Sequence, residues 1–290
     1  MITSYWAVYS VVEGDLTEFI RNPGPRIRGA IGRVIPRELY RVFFKPERRF
    51  LARGFMLRKL KHPPPPYIIP PPRILASSMI EVGLRIYGRI GMDTRLASLI
   101  FSGLERAIFP GSLKLRLEEI YASNELTGAK RLLREGPATI SLEDIEAWSR
   151  EASADNVEAV KMMFLTPFKL LRDGKPMGVE ELKPSDIFRH IIRRAFLLEY
   201  LYNGRMMAWM NPSYVREFKG WADENIVLDK KLRESGVKVK GSGGFLEGVI
   251  ILEMRNRIRL CEVLRYLKIG EMIGVGKGVS HGYGQYKVII

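Results

Sequence analysis

The chain has 290 residues, 46% hydrophobic and 27% charged, with a formal net charge of +15. That length suits two domains with sizeable cores, and no apolar run reaches the roughly 18 residues of a membrane span. The single cysteine, Cys261, excludes an internal disulfide framework and a thiolate zinc site, and so large a positive excess points to a polyanionic partner or an anionic surface.

The opening MITSYWAVYSVVEGDL lacks a basic n-region and a cleavage pattern, so it reads as a first strand over Ser4–Val12 and not as a targeting segment. A reducing cytoplasm fits the low cysteine count. Asn22-Pro-Gly-Pro25 is a turn cluster, after which IRGAIGRVI suits a short helix. Pro36 interrupts that helix and restarts one over RELYRVFF. Arg33, Arg37 and Arg41 would share a face if the helix were nearly continuous, either as a solvated face or as an RNA contact. From Arg21 to Lys61 there are thirteen Lys and Arg against two acids, Glu38 and Glu47. The prolines at 63–66 and 70–72 exclude helix and central strand, leaving YII as an extended edge segment. SSMIEVGLRIYG alternates as a strand, Thr94–Phe109 has helical periodicity through Leu96, Leu99, Ile100, Leu104 and Ile108, and LKLRLEEIYA alternates again. The first half therefore reads β, α, β, β, α, β.

Residues from about 124 to 160 are polar and acidic and read as a linker with strand and helix pieces; the part at 141–160, with six acids against one base, Arg150, is the acidic linker between domains at 1–140 and 161–290. In the second half VKMMFLTPFKLL reads as a strand and Pro184–Tyr202 as a long amphipathic helix. VKVKG and FLEGVIILE read as two strands about a Gly241–Gly244 turn, Arg257–Met272 as a helix and YKVII as a last strand. The expected architecture is α+β: two tandem ferredoxin-like, RRM-like βαββαβ domains. Four-stranded sheets of this kind are a common RNA-binding platform, although the fold alone hosts many functions.

Between the last helix and the last strand lies IGVGKGVSHGYGQY, with five glycines in fourteen residues. A Walker A loop fails because Glu271 stands at its first glycine and Gly278 at its hydroxyl position. A G-x-G-x-x-G fingerprint fails because Val279 occupies the third glycine position, and both motifs need a strand before the loop and a helix after it. Glycines still permit close backbone approach, consecutive N–H groups can cup an anion, and Lys277 adds charge. A close-packed structural loop is the other reading, and the two roles are compatible.

Several blocks in order resemble the RAMP proteins of CRISPR systems, and most closely the repeat-cleaving endoribonuclease family Cas6. They are PGPRIRGAIGRVI, PPPPYIIPPP with MIEVGLRIYGRI, FLTPFKLLRDGKPM, IIRRAFLLEYLYNG and GEMIGVGKGVSHGYGQY. The resemblance implies paired ferredoxin-like domains binding a repeat RNA in a basic groove, with the glycine-rich loop on RNA backbone at the domain junction. It implies RNA cleavage without metal or other cofactor, the 2′-OH attacking its own phosphate to leave a 2′,3′-cyclic phosphate and a 5′-OH. RNA-binding candidates are Arg26, Arg28, Arg33, Arg37, Arg41, Gly274, Gly276, Lys277, Gly278, Gly282 and Tyr283. Candidate partners are a CRISPR repeat RNA, subunits of a CRISPR effector complex and a second copy of the chain, with no membrane.

Such chemistry needs a general base, a general acid and cations for the oxyanion. Relatives often place a histidine near the first helix, where Gly32 and Arg33 stand here. The three histidines are His62, His190 and His281. His281, inside the loop, is placed to meet RNA by stacking or proton transfer; His62 follows the basic stretch; His190 reads as structural. Members without a catalytic histidine use Tyr, Lys and Arg, for which Tyr40, Lys45, Lys277 and Tyr283 are candidates here. A lysine with its ordinary pKa of about 10.4 suits phosphate stabilisation or an acid role better than a base role. The catalytic candidates are thus His281, His62, Tyr40 and Lys45. Two alternatives stay open: a non-catalytic RAMP subunit holding guide RNA in a CRISPR effector complex, and an unrelated basic RNA-binding module.

Overall fold

A computed structural model describes residues 1–44, 46, 63–107, 109–154, 157–204, 211–237 and 244–290. The chain forms two compact units: Met1–Ser141 with Leu197–Gly204 and Ser280–Gly282, and Leu142–Phe196 with Arg205–Val279 and Tyr283–Ile290.

The first unit runs β1 (Ile2–Glu13), α1 (Leu16–Arg21), α2 (Pro23–Val34), α3 (Arg37–Phe43), β2 (Tyr67–Ile68), β3 (Arg73–Ala76) and β4 (Met79–Tyr87). It continues with α4 (Thr94–Glu105), β5 (Lys114–Ser123), β6 (Lys130–Leu132) and β7 (Thr139–Ile140). Its sheet has the order β2-β4-β1-β5-β6, with β3 also on β4 and β7 on β1, and every pair is antiparallel. Alternation explains the core. Tyr5, Ala7 and Tyr9 share one face with Ile80, Val82, Leu84 and Ile86, and all are buried. The tyrosine hydroxyls are satisfied by backbone: Tyr5 donates to the Gly91 carbonyl at 2.6 Å and Tyr9 to that of Phe101 at 2.8 Å. α2 and α4 pack closely because a Cβ at Gly103 would lie 2.4 Å from Val34 Cγ2. On the opposite face Trp6 lies over Gly83, where a Cβ would be 2.7 Å from the indole. Arg73 stacks on Trp6 at 3.9 Å and pairs with buried Glu81 at 2.9 Å.

The second unit runs α5 (Leu142–Ser153), β8 (Ala159–Phe164), the short ladder β9 (Leu171–Arg172) and β10 (Lys175–Pro176), and α6 (Pro184–Tyr202). α7 (Pro212–Asn225), β11 (Ile226–Glu234), β12 (Leu246–Met254), α8 (Leu260–Ile273) and β13 (Tyr286–Ile289) follow. The sheet order is β11-β12-β8-β13, all antiparallel. Both sheets thus place the first strand of the βαββαβ order between the third and the fourth. Two tandem ferredoxin-like folds are the result.

Three regions take a more specific form than their sequence suggests. The first-helix region is not continuous: α2 ends at Val34, and Ile35 (ψ 135) and Pro36 (ψ 147) are extended. Arg33 is therefore on α2 while Arg37 and Arg41 are on α3, because a proline disfavours helical backbone in the residue before it. The acidic stretch holds α5, which is packed on α8 with Ser149 Oγ 3.5 Å from Cys261 Sγ. The partner strand of β12 is β11, upstream of VKVKG; of that segment Val237 is not in a strand, and residues 238–241 lie outside the described ones, as do Gly241–Gly243 of the expected turn and Ile108. Among the described residues no helix is long and apolar enough to cross a membrane.

Candidate functional site

In the second unit the glycine-rich loop leaves α8 at Gly274, whose φ of 72° ends the helix. Arg194 on α6 donates from Nε to the Ile273 carbonyl at 2.7 Å and fixes this exit. The extended arm after β8 then holds the loop at both ends. The Lys277 N–H donates to the Lys169 carbonyl at 2.8 Å, the Gly284 N–H to the Pro167 carbonyl at 2.9 Å, and the Gln285 N–H to Thr166 Oγ1 at 2.9 Å. Phe168, in the same arm, exchanges two 2.8 Å backbone bonds with Leu246. The approach is too close for side chains: a Cβ at Gly276 would lie 2.3 Å from the Lys169 oxygen, and one at Gly284 1.9 Å from the Val275 oxygen. The loop backbone is a packing element, and the donors of Gly274, Val275, Lys277, Tyr283, Gly284 and Gln285 are committed to protein acceptors. Its charge is carried by the exposed Lys277. Tyr283 is buried, 4.9 Å from the ring of Phe245 and close under Gly278.

The residues Ser280–Gly282 group with the first unit. There the start of α2 meets them without a side chain between: a Cβ at Gly24 would lie 2.1 Å from the His281 carbonyl oxygen, and one at Gly282 3.1 Å from Gly24 Cα. One turn along α2, Arg28 donates from Nη1 to Ser280 Oγ at 2.9 Å, and its guanidinium lies 5.3 Å from the ring centre of Phe44. Tyr40 stacks on the same Phe44 at 5.4 Å, beneath Gly32. His281 itself is exposed. Partial desolvation and, second, the Arg28 charge hold its pKa below the ordinary 6.5, so the imidazole is neutral at pH 7. The first unit thus brings together His281, Ser280 and Arg28, with Tyr40 joined through Phe44.

The remaining candidates divide. Arg26 is bound to the carbonyl and carboxylate of Glu18, the latter at 3.0 Å, which orients α1 on α2. Arg33 and Arg37 are exposed and Arg41 is half-buried. Lys45 and His62 lie outside the described residues. His190 is packed with Nε2 3.2 Å from the N–H and 3.0 Å from the carbonyl of Leu171, and burial lowers its pKa. Among the described residues no three His, Cys, Asp or Glu side chains converge as a metal site. Residues not singled out beforehand are Gly24, Thr166, Lys169 and Ser280. Gly24 and Thr166 sit inside quoted blocks, PGP and FLTPFK, yet their contacts are long-range and leave no local periodicity.

Residues 162–286 match the family model described as CRISPR-associated endoribonuclease Cas6. Over these residues the chain is similar to the Cas6 family. The Cas6 match begins in β8 and ends in β13, so it contains the arm and the glycine-rich loop together. Among solved structures, Thermus thermophilus Cas6 (TTHB231) is 15% identical with a TM-score of 0.61, over 100% of this chain and 98% of that one. A Cas6 (TTHA0078) product complex is 14% identical with a TM-score of 0.59, covering 100% and 99%. A chain of a partial Cas6-RT-Cas1–Cas2 complex is 14% identical with a TM-score of 0.60, covering 99% of this chain and 46% of that one. At these identities the likeness is one of fold. No curated protein matches the chain.

Proposed function

We propose that this chain is an endoribonuclease that cleaves CRISPR precursor RNA within the repeat, in the cytoplasm and without a metal ion. The Cas6 match supports the reaction class and the repeat-RNA substrate. The ribose 2′-oxygen bonds to the adjacent phosphorus and the bond from phosphorus to the 5′-oxygen breaks, giving a 2′,3′-cyclic phosphate and a 5′-OH. One proton leaves the 2′-OH and one reaches the 5′-oxygen, so a base and an acid are needed.

The observation that carries this reading is the exposed, neutral His281 beside Arg28 at the positive end of α2. A neutral imidazole accepts the 2′-OH proton. Arg28 keeps further N–H groups beyond the one on Ser280 and sits where a pentavalent phosphorane would gather negative charge. Tyr40, stacked on the same Phe44 that Arg28 approaches, is the described candidate for the proton donor, with His62 and Lys45 as the others. Arg33, Arg37, Arg41 and Lys277 bind RNA, while Arg26, Gly274, Gly276, Gly278, Gly282 and Tyr283, which is buried against Phe245 and not an RNA contact, shape the elements that present them. The sparse histidine set, with His190 packed on Leu171, favours one second reading: a RAMP subunit that holds guide RNA without cutting it.

The deciding experiment uses a labelled repeat RNA in EDTA beside the same RNA with a 2′-deoxy residue at the cut site. Cleavage of the first alone, ending in a cyclic phosphate, is expected. Equal cleavage of both overturns the chemistry, and tight binding with no cleavage of either selects the second reading.

A further inference from the structure

Ser280 is half-buried in the short helical turn Val279–His281, directly before the imidazole of the proposed base. A Cβ at Gly24 would lie 2.1 Å from the His281 carbonyl oxygen, so the backbone beside Ser280 has little room to move toward α2. On so confined a backbone a serine hydroxyl has one rotor and three staggered positions. In the observed one it accepts from Arg28 Nη1 at 2.9 Å. The guanidinium also lies 5.3 Å from the ring centre of Phe44, which is itself buried. The tip of a long side chain is thus held by an acceptor and an aromatic ring. We propose that Ser280 is a positioning residue for RNA cleavage, its hydroxyl aiming the Arg28 guanidinium at the phosphate oxygens beside His281. This role rests on the cleavage reading above, and it gives a task to a hydroxyl that neither the base nor the acid uses.

An arginine stem has several rotatable bonds, and its cation stabilises a phosphorane only while its N–H groups point at the developing charge. A donor held in place beforehand costs no reorganisation when that charge appears. The guanidinium is planar and carries its five N–H donors in a fixed fork. Fixing Nη1 on Ser280, with Phe44 beside the group, therefore sets the direction of the remaining donors. Ser280 and His281 are consecutive, so the same bond keeps the cation near the imidazole; the Arg28 charge acts on His281 in keeping with that closeness. Alanine at 280 offers Nη1 no acceptor, whereas threonine keeps one.

The test is a double-mutant cycle on the kinetics of repeat-RNA cleavage by the full chain: wild type, S280A, R28Q and S280A/R28Q, with S280T beside them. S280A is expected to lower kcat about ten- to a hundredfold, the worth of one hydrogen bond to a charged group, with little change in KM. S280T should recover most of that rate. In the R28Q background S280A should cost under about twofold, because the hydroxyl then has no guanidinium to aim. An S280A loss as large in R28Q as in wild type, a loss carried by KM alone, or an unchanged kcat overturns the proposal. Arginine side-chain NMR of the wild-type protein covers a variant that fails to fold: Arg28 Nη1 and Nη2 should give separate signals, and one averaged signal also overturns it. A wild type that cleaves, with additive S280A and R28Q losses, retains the function and loses the positioning role. A wild type that binds the repeat without cutting it, its Arg28 signals still separate, retains the bond to Ser280 but overturns the cleavage reading and the role with it.

Discussion

In the proposed reaction His281 is the base, and its surroundings set a pH signature. Its pKa is held below 6.5 in the free protein, so the acid limb of kcat/KM should fall below pH 6.5, where an ordinary histidine would place it. Bound RNA brings phosphate charge to the ring and raises that pKa, so the limb in kcat should sit at higher pH than the limb in kcat/KM. Removing Arg28 removes a cation from the imidazole: R28Q should move the kcat/KM limb upward, and R28K should restore it. H281A should lower single-turnover cleavage about 10²-fold, and a loss under about tenfold would exclude it as the base. His281 was legible in the sequence because a histidine inside a glycine run is conspicuous. Arg28 was legible only as one cation among thirteen, since its bond to Ser280 spans 252 positions. Lys169 was hidden because a lysine in an apolar segment looks like a solvated strand residue until its carbonyl is seen on the loop.

Elements, more than single side chains, make the loop what it is. Gly276 has φ 86° and no room for a Cβ, so G276A should both strain the backbone and push the arm away. We expect a loss of stability beyond about 1–3 kcal/mol, read from the urea midpoint, with weaker RNA binding. Gly128 shares the positive φ but has open surroundings; G128A should therefore cost less and isolate conformational strain from collision. Glu271, one residue beyond Gly270 in the GEMIGVGKG run, anchors the other end. It is 1% exposed and accepts from Lys268 at 3.1 Å, Lys287 at 2.9 Å and the Val288 N–H at 3.1 Å, tying α8 to β13. E271A leaves a buried lysine without this carboxylate and should cost about 3–5 kcal/mol by urea unfolding. Most elements were readable from period: β1, β4, β5, α4, α6 and α8 follow their alternation or helical stripe closely. β11 was not, because IVLDKKLRE changes from apolar to charged residues partway and half its side chains face solvent. The break between α2 and α3 was half-readable: Pro36 marked it, but only the extended Ile35 separates Arg33 from Arg37 and Arg41.

At the scale of the whole molecule, two copies of one topology carry different burdens of charge and of family signal. The repetition lies in strand order, β2-β4-β1-β5 against β11-β12-β8-β13, and sequence showed it through element order because a fold can be duplicated without residue identity. The family match covers 162–286, while the densest basic stretch lies between Arg21 and Lys61. Which of these regions grips RNA is therefore a counting question, and salt answers it. If only Lys277 and one further cation of the second unit meet phosphates, the slope on a single-stranded repeat is about −1.4, and affinity falls about sevenfold between 50 and 200 mM salt. If Arg28, Arg33, Arg37 and Arg41 each meet one more, the slope steepens to about −4 and the fall becomes about 10²- to 10³-fold. We expect the steeper value, because Arg33 and Arg37 are exposed and a net charge of +15 attracts a polyanion at long range. A fluorescence titration across that salt range decides it, and R33Q/R37Q should return about 1.4 of the slope. A shallow wild-type slope, unmoved by that double substitution, would confine RNA binding to the second unit and remove the α2–α3 arginines from the interface.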